Sequence, residues 1–168
     1  MELHGSKVVI EEFLNGEEVS VLSFCDGKTV IPMVESKDHK KIYDNDEGPN
    51  TGGMGTISPV KNYTEEVAKR AMNEIFIPTV NALNSEDIIY KGIIYFGLMI
   101  TAEGPKVIEY NARFGDPEAQ VVLPRLETDL LEILESCIYG TLDRIDIKWK
   151  ENAAICVVLA SGGYPRFI

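Results

Sequence analysis

From Val8 to Phe24 the apolar residues fall into two strand-like runs separated by Asn15-Gly16. Asn-Gly is the favoured pair for a two-residue type I′ turn, so the pattern predicts a β-hairpin. Asp26-Gly27 marks a second turn, and Lys28 to Val34 returns as a third strand of an antiparallel meander. Glu35 to Gly48 is polar without a period and reads as a loop. Residues 48–59 hold four glycines and two prolines and read as irregular. A helix is expected to open at Thr64 or its neighbour, with Glu65 and Glu66 in its first turn, where the helix dipole favours acids. Val67, Ala68, Ala71, Met72, Ile75, Phe76 and Val80 recur at helical steps as one buried stripe. Pro78 is expected to kink or split that helix. Tyr90–Ile100 and the run ending at Asn111 read as two strands joined at Thr101–Pro105. Asp129–Tyr139 reads as a helix closed by Gly140, and Ala153–Ala160 as a last strand. Strand runs and helix runs are segregated, which predicts an α+β architecture, mainly antiparallel sheet with packed helices.

The strand ending at Asn111 leads into the chain's densest chemistry, Glu109-Tyr110-Asn111-Ala112-Arg113-Phe114-Gly115-Asp116-Pro117-Glu118. Alternation along a strand puts Glu109, Asn111 and Arg113 on one face, and Val107 with them. A carboxylate beside an amide oxygen is a hard-oxygen pair that Mg²⁺ accepts when phosphates and water complete its shell. An arginine one step on can grip a phosphate or carboxylate bidentately. A sheet edge where polar residues simply meet water is the plain alternative.

Further candidates are scattered. The glycines of residues 48–55 would let backbone N–H groups converge on an anion, although no Walker A or dinucleotide fingerprint is present. Glu11, Glu12, Glu17 and Glu18 bracket the expected hairpin turn, and one glutamate of each pair could read a ribose. Asp38-His39-Lys40-Lys41 offers a cation for a phosphate at Lys40, with His39 read as solvated. No Ser/His/Asp or Cys/His arrangement has supporting context, so the expected chemistry is positioning and charge stabilisation, as in phosphoryl transfer.

Charge narrows the partners. A net charge of −11 argues against a nucleic-acid partner, which needs a basic face, but not against a nucleotide held through Mg²⁺. No apolar stretch is long enough for a membrane span, and residues 1–7 do not read as a signal peptide. The three cysteines are scattered, fit neither a disulfide framework nor a zinc site, and suit a reducing cytoplasm.

These blocks together resemble the phosphoribosylamine–glycine ligase family, also called glycinamide ribonucleotide synthetase, an ATP-grasp family of purine biosynthesis. The resemblance rests on Val8–Leu14, Gly16–Ser20, Asp26–Thr29, Asp38–Lys40, Gly48-Pro49-Asn50-Thr51-Gly52-Gly53-Met54-Gly55 and Arg113–Gln120. It spans Val8 to Pro165. It implies that ATP phosphorylates the glycine carboxylate and that 5-phosphoribosylamine then attacks the acyl phosphate. It also implies that Glu109 and Asn111 bind Mg²⁺ or Mn²⁺, that the Glu11 and Leu14 segment meets adenine, and that Glu18 meets the ribose. Arg113, Asp116, Gly52 and Gly53 then resemble substrate and phosphate contacts, as do Asp38 and Lys40.

The family places further domains before the segment matching Val8. The chain is therefore expected to be the C-terminal part of the ATP-grasp domain over residues 1–150, with residues 151–168 beginning a C-terminal domain. Such a piece is expected to turn over poorly alone and to self-associate through exposed apolar surface. Two other readings stay open: a different ATP-grasp carboxylate–amine ligase, and a non-catalytic interaction module.

Overall fold

The computed structural model describes residues 8–165. Its centre is a four-stranded antiparallel sheet in the order β2-β1-β7-β8, made of Glu17–Cys25 (β1), Val30–Pro32 (β2), Gly92–Thr101 (β7) and Gly104–Asn111 (β8). A second sheet, β3-β6-β9, joins Lys37–Asp38 (β3), Gly55–Ser58 (β6) and Ala154–Val157 (β9), and Lys41–Tyr43 (β4) pairs with Glu47–Asn50 (β5). The α+β expectation holds.

The expected hairpin around Asn15-Gly16 is not formed. The strand begins only at Glu17, and Val8, Val9, Ile10 and Phe13 lie exposed outside any strand. The reason is that both edges of β1 are already taken. β7 pairs along its whole length, while Ser36, Met33 and β2 bond to its other side. The Asp26-Gly27 turn is present: Asp26 Oδ1 accepts from the backbone N–H groups of Lys28 and Thr29, and Gly27 takes a positive φ of 98°.

Residues 35–59 hold more order than their composition suggests. β3 to β6 lie in the stretch expected to be loop and irregular chain. Gly55 starts β6 opposite Val157 of β9, where a Cβ would stand 2.7 Å from the Cys156 carbonyl oxygen. A glycine inside a strand can mark such a close backbone approach.

The first helix starts where expected. Thr64 caps Glu65–Ala71 (α1) by accepting from Val67 N–H. A π-helical turn over Met72–Phe76 follows, then Ile77–Ser85 (α2). Pro78 has no N–H to give to the preceding turn, and the widened turn before it lets the axis continue. This pair of helices packs on one face of the main sheet over Val19, Val21, Ile94, Phe96 and Leu98. The other face is covered at one end by Ala119–Val122 (α3) and Leu130–Tyr139 (α4), over Leu22, Phe24, Ile93 and Tyr95. Asp129 caps α4, and Gly140 ends it in the left-handed conformation. β9 belongs to the segment expected to begin another domain, yet it pairs with β6 and packs Ala154 and Cys156 against this second core.

Phe96 is fully buried, its ring 4.3 Å from that of Phe76 and 5.5 Å from that of Tyr110. Phe96→Ala removes the contact that ties α1–α2 to the sheet. It is expected to cost about 3–5 kcal/mol, read as a lower midpoint in urea unfolding.

Candidate functional site

Strand register decides where the polar groups go. Gly97 pairs with Glu109 and Tyr95 with Asn111, whereas Leu98 pairs with Val107. Ile108 is therefore the extra residue of a β-bulge, which shifts the alternation by one. Glu109 and Asn111 share a face, as expected. Val107 does not join them: it lies on the opposite face, packed against the α1–α2 core. Cross-strand pairing puts Glu18, opposite Met99, and Ser20, opposite Gly97, on the polar face with Glu109 and Asn111.

Gly97 makes this face usable. A Cβ there would meet Glu109 Cγ at 2.8 Å, so the glycine lets the glutamate lie across the strand. Lys40 stands over the two acids. Its Nζ is 3.2 Å from Glu18 Oε2 and 3.9 Å from Glu109 Oε1. The nearer contact is a salt link, and the farther one lies beyond hydrogen-bond reach, so Glu109 keeps oxygens to offer a ligand. Burial lowers the Lys40 pKa, but the charges of Glu18, Glu109 and Asp38 outweigh it and hold the ammonium above its usual value.

The donor set suits a hard cation that brings its own ligands. Among the described residues, no group of three or more His, Cys, Asp or Glu side chains is placed to hold a metal. One carboxylate and one amide oxygen are too few for Ca²⁺ or a structural Zn²⁺, but they match Mg²⁺ or Mn²⁺ carried by phosphates.

Other expected site residues are placed less directly. Gly52 N–H donates to the Tyr164 hydroxyl, Gly53 N–H to Thr51 Oγ1, Thr51 N–H to the Lys40 carbonyl and Met54 N–H to the His39 carbonyl. The four donors are thus spent within the chain, and the loop does not form the open anion nest its glycines suggested. Gly53 instead permits close packing, since a Cβ there would stand 2.5 Å from Pro117 and 2.8 Å from Asp38. Arg113 and Asp116 are exposed: Arg113 donates to the Phe114 carbonyl, and Asp116 accepts from Gln120. Glu11 is exposed and Leu14 half-buried, both outside the sheet. Lys106 of β8 binds Glu12 at 3.1 Å, and Lys37 and Asn62 bind Glu17.

Three polar residues were given no role from the sequence: Ser20, Tyr95 and Glu118. All are buried, and they meet on the same face of the sheet as Glu109 and Asn111. Ser20 and Tyr95 sit in apolar strands, where a hydroxyl on the core side gives no periodic signal. Gly97 did carry one, as a glycine inside an apolar strand. A groove of about 730 Å³, lined by Pro78, Leu83, Ile94, Val107 and Tyr110 and reaching Asn111 at the end of β8, lies on the helix side of the sheet. Its walls are mostly apolar, and the convergent charges are on the other face.

Asp38 is the strained charge. Its Oδ1 is buried without a hydrogen-bond partner. Burial, and then the charge of Glu118, push its carboxyl up to about 6. The folded state therefore holds this proton more tightly than the unfolded chain does. Stability conferred by protonated Asp38 is full below about pH 4 and is lost as pH rises through about 6. Asp38→Asn removes the cost. Discounted for partial solvent exposure, the gain at pH 7 is about 1–2 kcal/mol, or about 3–6 °C in Tm. The gain is expected to vanish below about pH 4 in melts across pH.

Comparison with known proteins then places this geometry. Residues 2–119 match the model of the phosphoribosylglycinamide synthetase ATP-grasp (A) domain. A phosphoribosylamine–glycine ligase of Halalkalibacterium halodurans is 56% identical over 161 residues, 96% of this chain and 37% of the relative. One from Vibrio cholerae is 52% identical over 162 residues, 96% of this chain and 38% of the relative. The crystal structure of phosphoribosylamine–glycine ligase from Thermotoga maritima superposes with a TM-score of 0.82 at 32% identity, covering 92% of this chain and 39% of that one. N5-carboxyaminoimidazole ribonucleotide synthetase from Thermus thermophilus, at 14% identity and a TM-score of 0.57 over 86% of this chain and 35% of that one, shares the fold alone. The chain spans under two-fifths of the length of these ligase relatives. It belongs to the phosphoribosylglycinamide synthetase ATP-grasp (A) domain family.

Proposed function

We propose that this chain is the metal-bearing part of a ligase that joins glycine to 5-phosphoribosylamine at the expense of ATP, giving glycinamide ribonucleotide, ADP and phosphate. The observation that carries the reading is the shared face of Glu109 and Asn111, with Glu18 and Lys40 beside them. Glu109 and Asn111 would hold Mg²⁺ or Mn²⁺ against the ATP phosphates. Bound there, the cation would supply Lewis-acid neutralisation of phosphate charge.

The chain's own residues bind and orient. Glu18 accepts from ribose hydroxyls once Lys40 turns from it to a phosphate oxygen. The backbone from Glu11 to Leu14 lies along the adenine. Arg113 and Asp116, exposed at the end of β8, are free to meet the glycine carboxylate, the transferred phosphoryl group or the amine. Gly53 and Asp38 shape the adjoining wall, and Gly52 offers its N–H to a phosphate when the Tyr164 hydroxyl moves off it. Residues 151–168 lead into a further domain. The three free cysteines suit a reducing, cytoplasmic setting. Among the described residues, no helix is long and apolar enough to cross a membrane. In isolation the exposed Val8, Val9, Ile10, Phe13 and Leu159 favour self-association.

Steady-state assay of the full-length protein tests this. ADP formation is expected to require both glycine and phosphoribosylamine. Arg113→Ala is expected to lower kcat/KM for glycine by about 10²-fold, as loss of a bidentate charge contact does. Equal rates with other amino acids would transfer the reading to a different ATP-grasp ligase. Absence of ADP formation under any substrate combination would leave a binding module. The 168-residue chain alone is expected to show weak ATP binding and negligible turnover.

A further inference from the structure

Beside the cation ligands, on the same face of the sheet, lies a buried knot of oxygens. Glu118 is only 3% exposed, and its Oε1 stands 3.1 Å from Ser20 Oγ and 3.0 Å from the Tyr95 hydroxyl. Those two hydroxyls are 2.8 Å apart. A buried carboxylate is costly unless it is hydrogen-bonded, and here both donors come from the main sheet. Ser20 lies on β1 opposite Gly97, the residue that makes room for Glu109. Tyr95 lies on β7 directly opposite Asn111. The carboxylate thus grips the two strand positions that neighbour the two cation ligands.

Its other oxygen faces the following turn. A Cβ on Gly115 would meet Glu118 Oε2 at 2.3 Å, so the carboxylate lies directly against the Gly115 backbone. Gly115 and Pro117 flank Asp116, and Pro117 is packed against Gly53. Glu118 therefore joins three pieces: the strand pair beside the cation ligands, the turn bearing Arg113 and Asp116, and, through Pro117, the glycine loop.

The geometry points to Glu118 as a positioning residue for the ligation reaction: through Ser20, Tyr95 and Gly115 it fixes Asn111 and the Arg113–Asp116 turn relative to Glu109. It touches no substrate, and it works by hydrogen-bond geometry rather than by its charge. This inference rests on the ligase reading above. The two fail differently, because the ligase reading fails when the unsubstituted protein makes no product.

The test is steady-state kinetics of the full-length protein carrying Glu118→Ala, Glu118→Gln or Tyr95→Phe, with Mg²⁺ varied and active sites counted. Glu118→Ala is expected to raise the half-saturating Mg²⁺ concentration about tenfold and to lower kcat per active site by 10- to 100-fold, as misplaced ligands do. ATP binding without metal should stay within about twofold. Glu118→Gln keeps the shape and an acceptor oxygen, and it is expected to restore both parameters to within about threefold of the parent. A merely structural role would lower the active fraction and the melting temperature while leaving Mg²⁺ half-saturation unmoved, and that result overturns the proposal. So does Glu118→Gln as impaired as Glu118→Ala, which would mean that the charge itself acts. Where Glu118→Ala does not fold, Tyr95→Phe decides: a three- to tenfold rise in half-saturating Mg²⁺ supports the proposal, and no change overturns it.

Discussion

One surplus residue in an edge strand sets the orientation of this molecule's chemistry. Ile108 bulges from β8 opposite the step between Gly97 and Leu98, and alternation on either side of it differs by one. Below the bulge, Val107 faces the α1–α2 core; above it, Glu109 and Asn111 face the polar side. Without the bulge, a strand that buries Val107 would turn Glu109 and Asn111 into an apolar core, where a charge is costly. Burial of one end of β8 and presentation of polar groups at the other are compatible only because the register breaks between them.

The rest of the site is arranged around that break. Gly97 clears the space that Glu109 crosses, and Glu18 arrives beside it because β1 pairs with β7 over its whole length. Lys40 comes from the link between β3 and β4 and balances two acids that would otherwise repel. On the same face, the Ser20–Tyr95–Glu118 knot and the Gly53–Pro117 contact tie sheet, turn and loop together. A mostly apolar groove of about 730 Å³ lies across the sheet from these charges.

Much of this was legible in the sequence because local rules and tertiary packing agree. Thr64 and Asp129 announced helix starts, Gly140 a helix end, and the stripe through Phe76 and Val80 a buried helix face. The common face of Glu109 and Asn111 followed from strand alternation. What was missed depends on partners far along the chain. Asn15-Gly16 is a good turn, but β1 had already filled both its edges. Residues 35–59 look irregular locally, yet β6 is held as a strand by β3 and β9, the latter about 100 residues away. The bulge leaves no trace in composition, so Val107 was placed on the wrong face. The glycine loop suggested an anion nest, but its donors are satisfied by Thr51, Tyr164 and neighbouring carbonyls, and satisfaction by distant atoms is invisible in sequence.

The central claim is that Glu109 and Asn111 jointly hold a divalent cation with the phosphates of ATP. Electron paramagnetic resonance of Mn²⁺, titrated into the full-length protein with and without ATP, reads this directly. The account predicts that ATP tightens Mn²⁺ binding by tenfold or more in the parent protein. It also predicts that this tightening is lost in both Glu109→Gln and Asn111→Ala while metal-free ATP binding persists. Equal ATP-dependent Mn²⁺ binding in the parent and in both variants would contradict it.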